Sequence, residues 1–201
     1  MSDLGFLSPM NASVPRRTPM AGAHHTELRE RDGWMLPDYP PPGDAAVWVS
    51  DVSWLGKVEL RGTPAEVDLG SGLDGPGATR RDGEAWIARL TPTRALVLCP
   101  PDETAARLTA LGPGAVDLTC GWAAVRVGGP ARLDLFARVS DLDGRPKSLP
   151  EGAVVSGPVA ECAGIVLNEG DTLLLLAGWD YGAYLWEAVL DLGEPLGVVT
   201  A

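Results

Sequence analysis

The sequence predicts an α+β domain built from two copies of a β-α-β-β-α unit, preceded by an extended arm. The first observation behind this is an internal echo. Asp51-Val52-Ser53 leads through the alternating Val58 and Leu60 to Gly62-Thr63-Pro64-Ala65. Sixty-six residues on, Asp117-Leu118-Thr119 leads through Val125 and Val127 to Gly129-Pro130-Ala131. The Asp, the hydroxyl residue, the Pro and the Ala keep their offsets, and self-similarity at a fixed period marks a repeated unit. The second observation is that strand-like and helix-like patterns follow in the same order after each copy. The third is the segment 1–46, where Pro15, Pro19, Pro37, Pro40, Pro41 and Pro42 interrupt any long periodic pattern. The domain division is therefore an arm over 1–46 and a duplicated domain over 47–201, with repeats at about 47–112 and 113–201.

Within the arm, the spacing predicts one short helix over Ala21–Arg31, stopped by Gly33 and Pro37. In each repeat a strand with period-two alternation feeds a helix with Pro at its first position. Thr63-Pro64-Ala65-Glu66 has the form of a capping box, in which hydroxyl and carboxylate satisfy each other's free amides. The second of these helices would turn Leu133, Phe136 and Ala137 to one face. Two strands follow in each copy, Ala85–Leu90 and Ala95–Cys99, then Val159–Leu167 and Thr172–Ala177. Each copy closes on an amphipathic helix. The first is Asp102–Leu111, ended by Gly112-Pro113. The second is Asp180–Leu192, with Asp180 as N-cap, a stripe of Tyr184, Leu185, Ala188, Val189 and Leu192, and a stop at Gly193 and Pro195.

Composition narrows the function. The 201 residues are 45% hydrophobic and 21% charged, an ordinary globular balance with enough chain for a sizeable core. Sixteen basic against 27 acidic residues give a net charge of −11. Nucleic acid and anionic membrane need a concentrated basic footprint, so neither is an expected partner. Met1–Met10 carries Asp3 and no long apolar run, and Leu173–Ala177 is too short to span a bilayer. Cys99, Cys120 and Cys162 are odd in number and lack C-x-x-C or zinc-like spacing. A cytoplasmic location is the expectation.

Few residues offer chemistry. Gly70-Ser71-Gly72-Leu73-Asp74-Gly75 matches G-x-G-x-x-G, but no strand precedes it and no helix follows, so it is read as a loop. His24 and His25 are the only histidines; adjacent residues point to different faces and no third ligand lies nearby, so they are read as an exposed polar pair. Hydrolase chemistry of the Ser-His-Asp or Cys-His kind would have to reach into the arm. Cys120 and Cys162 are read as small buried thiols in strands, and nothing near Cys99 would lower its pKa. Seven tryptophans against two phenylalanines suggest mainly core packing, with one or two at a flat binding site or a subunit interface. Asp51 and Asp117, placed where strands begin, are read as Asx-type turns or strand-start caps. Glu169, in Asn168-Glu169-Gly170-Asp171, is read as a solvated hairpin tip. No catalytic residue and no metal ligand is assigned.

The run from Asp51 to Gly62, D-V-S-W-L-G-K-V-E-L-R-G, resembles the D-V-S-H-M-G-[KE]-[IV]-x-[IV]-x-G segment of glycine-cleavage T proteins, the tetrahydrofolate-dependent aminomethyltransferases. Arg17-Thr18-Pro19-Met20 and Gly33-Trp34-Met35-Leu36-Pro37-Asp38-Tyr39 resemble that family's opening segments. Val116-Asp117-Leu118-Thr119, Gly129-Pro130-Ala131, Cys162–Leu167 and Tyr184-Leu185-Trp186 are similar to the gamma subunit of heterotetrameric sarcosine oxidase, a small member of the same folate-binding superfamily. The resemblance implies a duplicated α+β fold of the folate-binding, T-protein-like type. It also implies two folate-pocket positions: Leu55, where the family has a methionine packed near folate, and Glu169, opposite the glutamate of T-G-E-x-G-x-E that binds the pterin ring. The family's N-A-x-x-x-x-D segment has no counterpart, Trp54 stands where it has histidine, and its C-terminal barrel and a later arginine would fall beyond Thr200.

The expected function is therefore a gamma-type subunit of a sarcosine-oxidase-like flavoenzyme complex in one-carbon and N-methyl amine metabolism, structural rather than catalytic. Its partners would be larger flavoprotein subunits of an amine oxidase complex, which carry the flavin. The first alternative is a stand-alone tetrahydrofolate-dependent aminomethyltransferase-like or folate-binding protein, with Arg126 or Arg94 as basic neighbours for the glutamyl tail. The second is a diverged non-catalytic assembly module.

Overall fold

The computed structural model describes residues 15–67 and 69–201, so the first 14 residues of the expected arm and Asp68 lie outside the description. Its strands and helices, in chain order, are β1 (Arg16–Arg17), β2 (Leu28–Arg31), β3 (Trp34–Pro37), β4 (Trp48–Asp51), β5 (Gly56–Arg61), β6 (Thr79–Asp82), β7 (Ala85–Thr91), β8 (Arg94–Cys99), α1 (Thr104–Leu111), β9 (Ala115–Asp117), β10 (Trp122–Gly128), α2 (Arg132–Val139), β11 (Val154–Val159), β12 (Cys162–Asn168), β13 (Thr172–Gly178), α3 (Gly182–Gly193) and β14 (Val199–Thr200). They form a small sheet β1-β3-β2, a six-stranded sheet β11-β12-β13-β10-β4-β14 and a five-stranded sheet β6-β7-β8-β5-β9.

The two large sheets pack face to face. Strand β13 shows why, because successive side chains of a strand point to opposite faces. Leu174 and Leu176 join Trp86, Leu96, Leu98 and Ile165 in the core between the sheets. Leu173, Leu175 and Ala177 join Phe136 of α2 and Leu185, Trp186 and Val189 of α3 in the core on the outer side. A strand that is apolar on both faces must be covered on both, and the sheet is. On the far side of the five-stranded sheet, Val58, Ile87 and Val97 pack against Leu108 and Leu111 of α1. The layers are therefore helices, sheet, sheet, helix.

The sheets exchange their leading strands. β4, which precedes β5 in the chain, pairs antiparallel with β10, placing Asp51 opposite Val125. β9, which precedes β10, pairs antiparallel with β5, placing Asp117 opposite Val58. Hydrogen bonds at the two crossings match: Asp51 Oδ1 accepts from Ser53 N and Asp117 Oδ1 from Thr119 N, each at 2.9 Å. Ser53 Oγ then accepts from Ala124 N (3.0 Å), and Thr119 Oγ1 from Lys57 N (3.2 Å). These are the Asx turns expected from the sequence, though Asp51 and Asp117 end strands rather than begin them, and they tie the two crossings to β10 and β5.

Several expectations need correction. The arm has no helix over Ala21–Arg31; β2 and β3 form a hairpin there, because Asp32 (φ 52°) and Gly33 (φ 77°) supply the two positive-φ residues of a tight turn. The capping box at Thr63 forms, with Glu66 Oε2 accepting from Thr63 N (2.7 Å) and Oγ1 (2.8 Å). Yet only a turn follows over 64–67, since the chain runs on into Gly70 and Gly72, both at positive φ. In place of each expected pair of strands there are three consecutive antiparallel ones, β6-β7-β8 and β11-β12-β13. β6 was hidden by its charges, and β11 by a turn of Ala160 and Glu161 that lacks the usual Gly or Asn.

The helix faces also differ. α2 buries Leu135, Phe136 and Val139, leaving Ala137 exposed. Asp180 makes no cap; it lies in a 3-10 turn, Trp179–Tyr181, and α3 buries Leu185, Trp186 and Val189, while Tyr184 and Leu192 face out. Cys120 is exposed in the 3-10 turn Thr119–Gly121, whereas Cys162 is buried as expected.

Ala160 (φ 46°) and Glu161 (φ 63°) hold left-handed backbone that non-glycine residues adopt at a cost. Glu161→Gly is therefore expected to raise stability by roughly 1 kcal/mol, read as a higher urea midpoint at unchanged slope. A lower midpoint would show that the carboxylate stabilises the turn more than the strain costs.

Candidate functional site

At one end of the inter-sheet layer the core opens into a cleft of about 730 Å³, within the size range of small-molecule sites. Trp54 and Leu55 come from the loop between β4 and β5, Trp86 from β7, Leu98 from β8, Arg126 from β10, and Glu169 from the β12–β13 turn. Both positions singled out through the family resemblance, Leu55 and Glu169, line this one cleft.

The placement of Glu169 starts with its turn. Asn168 Oδ1 accepts from Gly170 N (2.9 Å) and Glu169 N donates to Thr172 O (2.9 Å), while Gly170 sits at φ 98°. This folds the side chain back toward the strands, where it is 11% exposed rather than solvated at a tip. Its carboxylate accepts from Arg126 Nε (2.8 Å) and Nη2 (3.1 Å) and from Thr172 Oγ1 (2.7 Å). A carboxylate offers about four lone-pair sites, so one remains for a ligand.

The opposite wall is held by a buried lysine. Lys57 is 0% exposed, and its Nζ donates to Ser53 O and Leu55 O, each at 2.8 Å, fixing the loop that presents Trp54 and Leu55. Burial drives its pKa down to about 7, opposed by the nearby carboxylate of Asp51. The Cys99 thiol, also on the cleft wall, is pushed up by burial and is not activated.

Trp86 also lines the cleft, and its indole Nε1 is buried without a hydrogen-bond partner. The Arg81 guanidinium lies 4.7 Å from the Trp86 ring centroid, a cation–π contact at the cleft.

A second buried carboxylate is likewise held by arginine. Glu59 on β5 is 1% exposed and accepts from Arg94 Nε (3.1 Å) and Nη2 (2.9 Å), and also from Arg61. Hydrogen bonds to these two guanidinium groups hold its pKa below the usual value against the opposing effect of burial. Arg94 is thus committed to Glu59 and does not reach the cleft that holds Glu169.

The histidine reading is overturned at His24. Its side chain and that of Asp51 are both 0% exposed, and Nε2 donates to Asp51 Oδ2 at 3.0 Å. Nδ1 then accepts from Tyr39 Oη (3.3 Å), and the ring meets Trp186 edge-on at 4.8 Å. The pair anchors the arm to β4, helped by Gly182, where a side chain would collide with Pro19. No spacing rule links residues 27 apart, so only the tertiary structure shows it. Among the described residues no cluster of three or more His, Cys, Asp or Glu could hold a metal ion, and no helix is long and apolar enough to cross a membrane.

A mixed α+β fold of two packed sheets with a cleft at their junction defines a class that comparison then specifies. No family model matches the chain. An aminomethyltransferase from Frankia alni is 30% identical over 218 aligned positions, covering 90% of this chain and 59% of that protein. A chain of the heterotetrameric sarcosine oxidase from Corynebacterium sp. U-96 superposes with a TM-score of 0.68 at 17% identity, covering 92% of this chain and 98% of that one. The glycine cleavage system aminomethyltransferase T from Bartonella henselae superposes with a TM-score of 0.69 at 16% identity, covering 93% and 59%. The chain thus spans about three-fifths of the aminomethyltransferases it matches. These likenesses support a place in the T-protein folate-binding superfamily, as does the segment beginning at Asp51.

Proposed function

We propose that this protein is a gamma-type subunit of a sarcosine-oxidase-like flavoenzyme complex in one-carbon and N-methyl amine metabolism, acting in the cytoplasm as a binding and structural component. The observation that carries this is the likeness that takes in 98% of one chain of a heterotetrameric sarcosine oxidase. In this reading flavin resides on the larger partner subunits. The domain is a duplicated unit over 47–201 with an arm over 1–46, a division supported by the exchanged strands β4 and β9 and their matched Asx turns. Three donors already occupy Glu169, which suits a binding group better than a proton-transfer base. The test is to purify the protein at native level, record the flavin absorbance and identify its companions by mass. A flavin-bearing amine oxidase subunit in stoichiometric amount is expected; a colourless protein without companions would overturn the reading.

A second reading, tetrahydrofolate binding in the cleft, is favoured by the walls themselves. Trp54, Trp86 and Leu55 offer flat apolar surface, and Glu169 one free acceptor position. The residues present fit a pterin ring, with Glu169 accepting a ring N–H and Leu55 packing against its face. Tetrahydrofolate is then expected to quench tryptophan fluorescence, and Glu169→Ala to weaken binding about tenfold or more. Equal affinity in wild type and Glu169→Ala would exclude this use of the cleft.

A further inference from the structure

We propose that a groove on the opposite side of the domain, between α3, the end of α2 and the β11–β12 turn, is a docking surface for a basic amphipathic helix of a larger partner protein. The inference rests on the subunit reading for the partner's identity, though not for the chemistry of the surface. Tyr184, Ala188 and Leu192 recur along α3 at helical spacing and line a groove of about 510 Å³ with Val139, Pro158 and Ala160. Tyr184 is 47% and Leu192 38% exposed, the reverse of the core-facing stripe that the spacing suggests. Large exposed apolar side chains gathered in one groove mark an interaction site rather than scattered surface.

Charge selects the occupant. Asp141, Glu161, Glu187 and Asp191 rim the groove against a single cation, Arg138. Among the described residues none of the four carboxylates makes an ion pair or a side-chain hydrogen bond, unlike Glu59 and Glu169. A two-fold contact with a second copy would set these four carboxylates against themselves, in a chain of net charge −11. A helix with apolar residues in register with Tyr184 and Leu192, flanked by Lys or Arg, satisfies both the floor and the rim.

The turn adds a further sign. Glu161 holds its carboxylate at the rim from a left-handed backbone position that glycine would occupy at lower cost. Strain kept at one rim residue accords with a function for its side chain.

The full chain carrying a photo-crosslinking amino acid at Tyr184 or Leu192, and at exposed Val116 on β9 as comparison, is irradiated in its native host. The cross-linked peptides are then sequenced. Positions 184 and 192 are expected to capture one segment of one larger protein, apolar and flanked by Lys or Arg. Glu161→Lys with Asp191→Lys should lower that yield about tenfold, while Glu30→Lys with Asp44→Lys leaves it unchanged. Equal thermal midpoints would show that both variants are folded. Capture of an acidic segment or a second copy, capture only from position 116, or no capture at all would overturn the surface. The subunit reading is scored separately. A flavoprotein captured only through Val116 sinks the groove and keeps the complex, and a flavin-free basic partner at Tyr184 does the reverse.

Discussion

Replacing Asp51 with alanine is expected to lower stability by about 4 kcal/mol, the range for removing one partner of a fully buried pair. The residue serves two purposes at once. Oδ2 accepts from His24 and Oδ1 from Ser53 N, so alanine strands a buried imidazole N–H and a buried amide together. His24 cannot turn to water, since Trp186 meets its ring at 4.8 Å and Tyr39 closes Nδ1. The arm should therefore loosen as the domain weakens. Urea unfolding reads the first effect, and faster proteolysis within residues 15–46 reads the second. Asp117→Ala is the internal comparison: Asp117 is exposed and accepts from Thr119 N, so its loss should cost about 1 kcal/mol. Equal effects for the two would show that His24 contributes nothing through its bond to Asp51.

The second large effect is a dependence of stability on pH that originates in one lysine. Burial lowers the pKa of Lys57 to about 7 from its usual 10.5. Above pH 7 the folded state has released this proton while the unfolded chain still holds it. Stability then rises with pH wherever the unfolded state binds more protons. The gain should be about 2 kcal/mol between pH 7 and 9. Above that window the trend turns, because burial raises the pKa of Cys99 and Tyr39 in the folded state, and the unfolded chain ionises them first. In Lys57→Met the rise should vanish. At pH 9 that variant should be roughly 2 kcal/mol less stable than wild type, since Ser53 O and Leu55 O lose their donor. At pH 6 the difference should narrow, because wild type then bears the cost of a buried ammonium. A variant whose urea midpoint follows the wild-type pH profile would place the titrating group elsewhere.

The consequence reaches the cleft. Lys57 holds the loop carrying Trp54 and Leu55, and Arg126 holds Glu169 on the other side, so both walls depend on buried charge. Such groups tie stability to the shape of the site. A variant that relieves either burial should also change the shape of the cleft.

Much of this fold is legible along the chain, and the legible part is local. The unbroken apolar run from Leu173 to Ala177 suits a strand covered on both faces, and side-chain period assigns its residues alternately to the two. The Asx turns at Asp51 and Asp117 and the capping box at Thr63 follow from side chains that bond backbone two or three residues away. The segment from Asp51 to Gly62 carries a resemblance to T proteins that the comparisons support. What fails is also local in origin: Ala160-Glu161 turns the chain without a turn residue, and the helix faces of α2 and α3 depend on which layer covers them.

The tertiary structure alone decides the rest. The exchange of β4 and β9 between sheets, the pairing of Arg126 with Glu169 across 43 residues, and that of His24 with Asp51 across 27 each join distant segments. Sequence spacing carries no information about such contacts, because they form only once layers have packed and closed the intervening loops. The burial of Lys57 is the clearest case. An alternating strand identifies its face, but only the second sheet laid against that face removes the water.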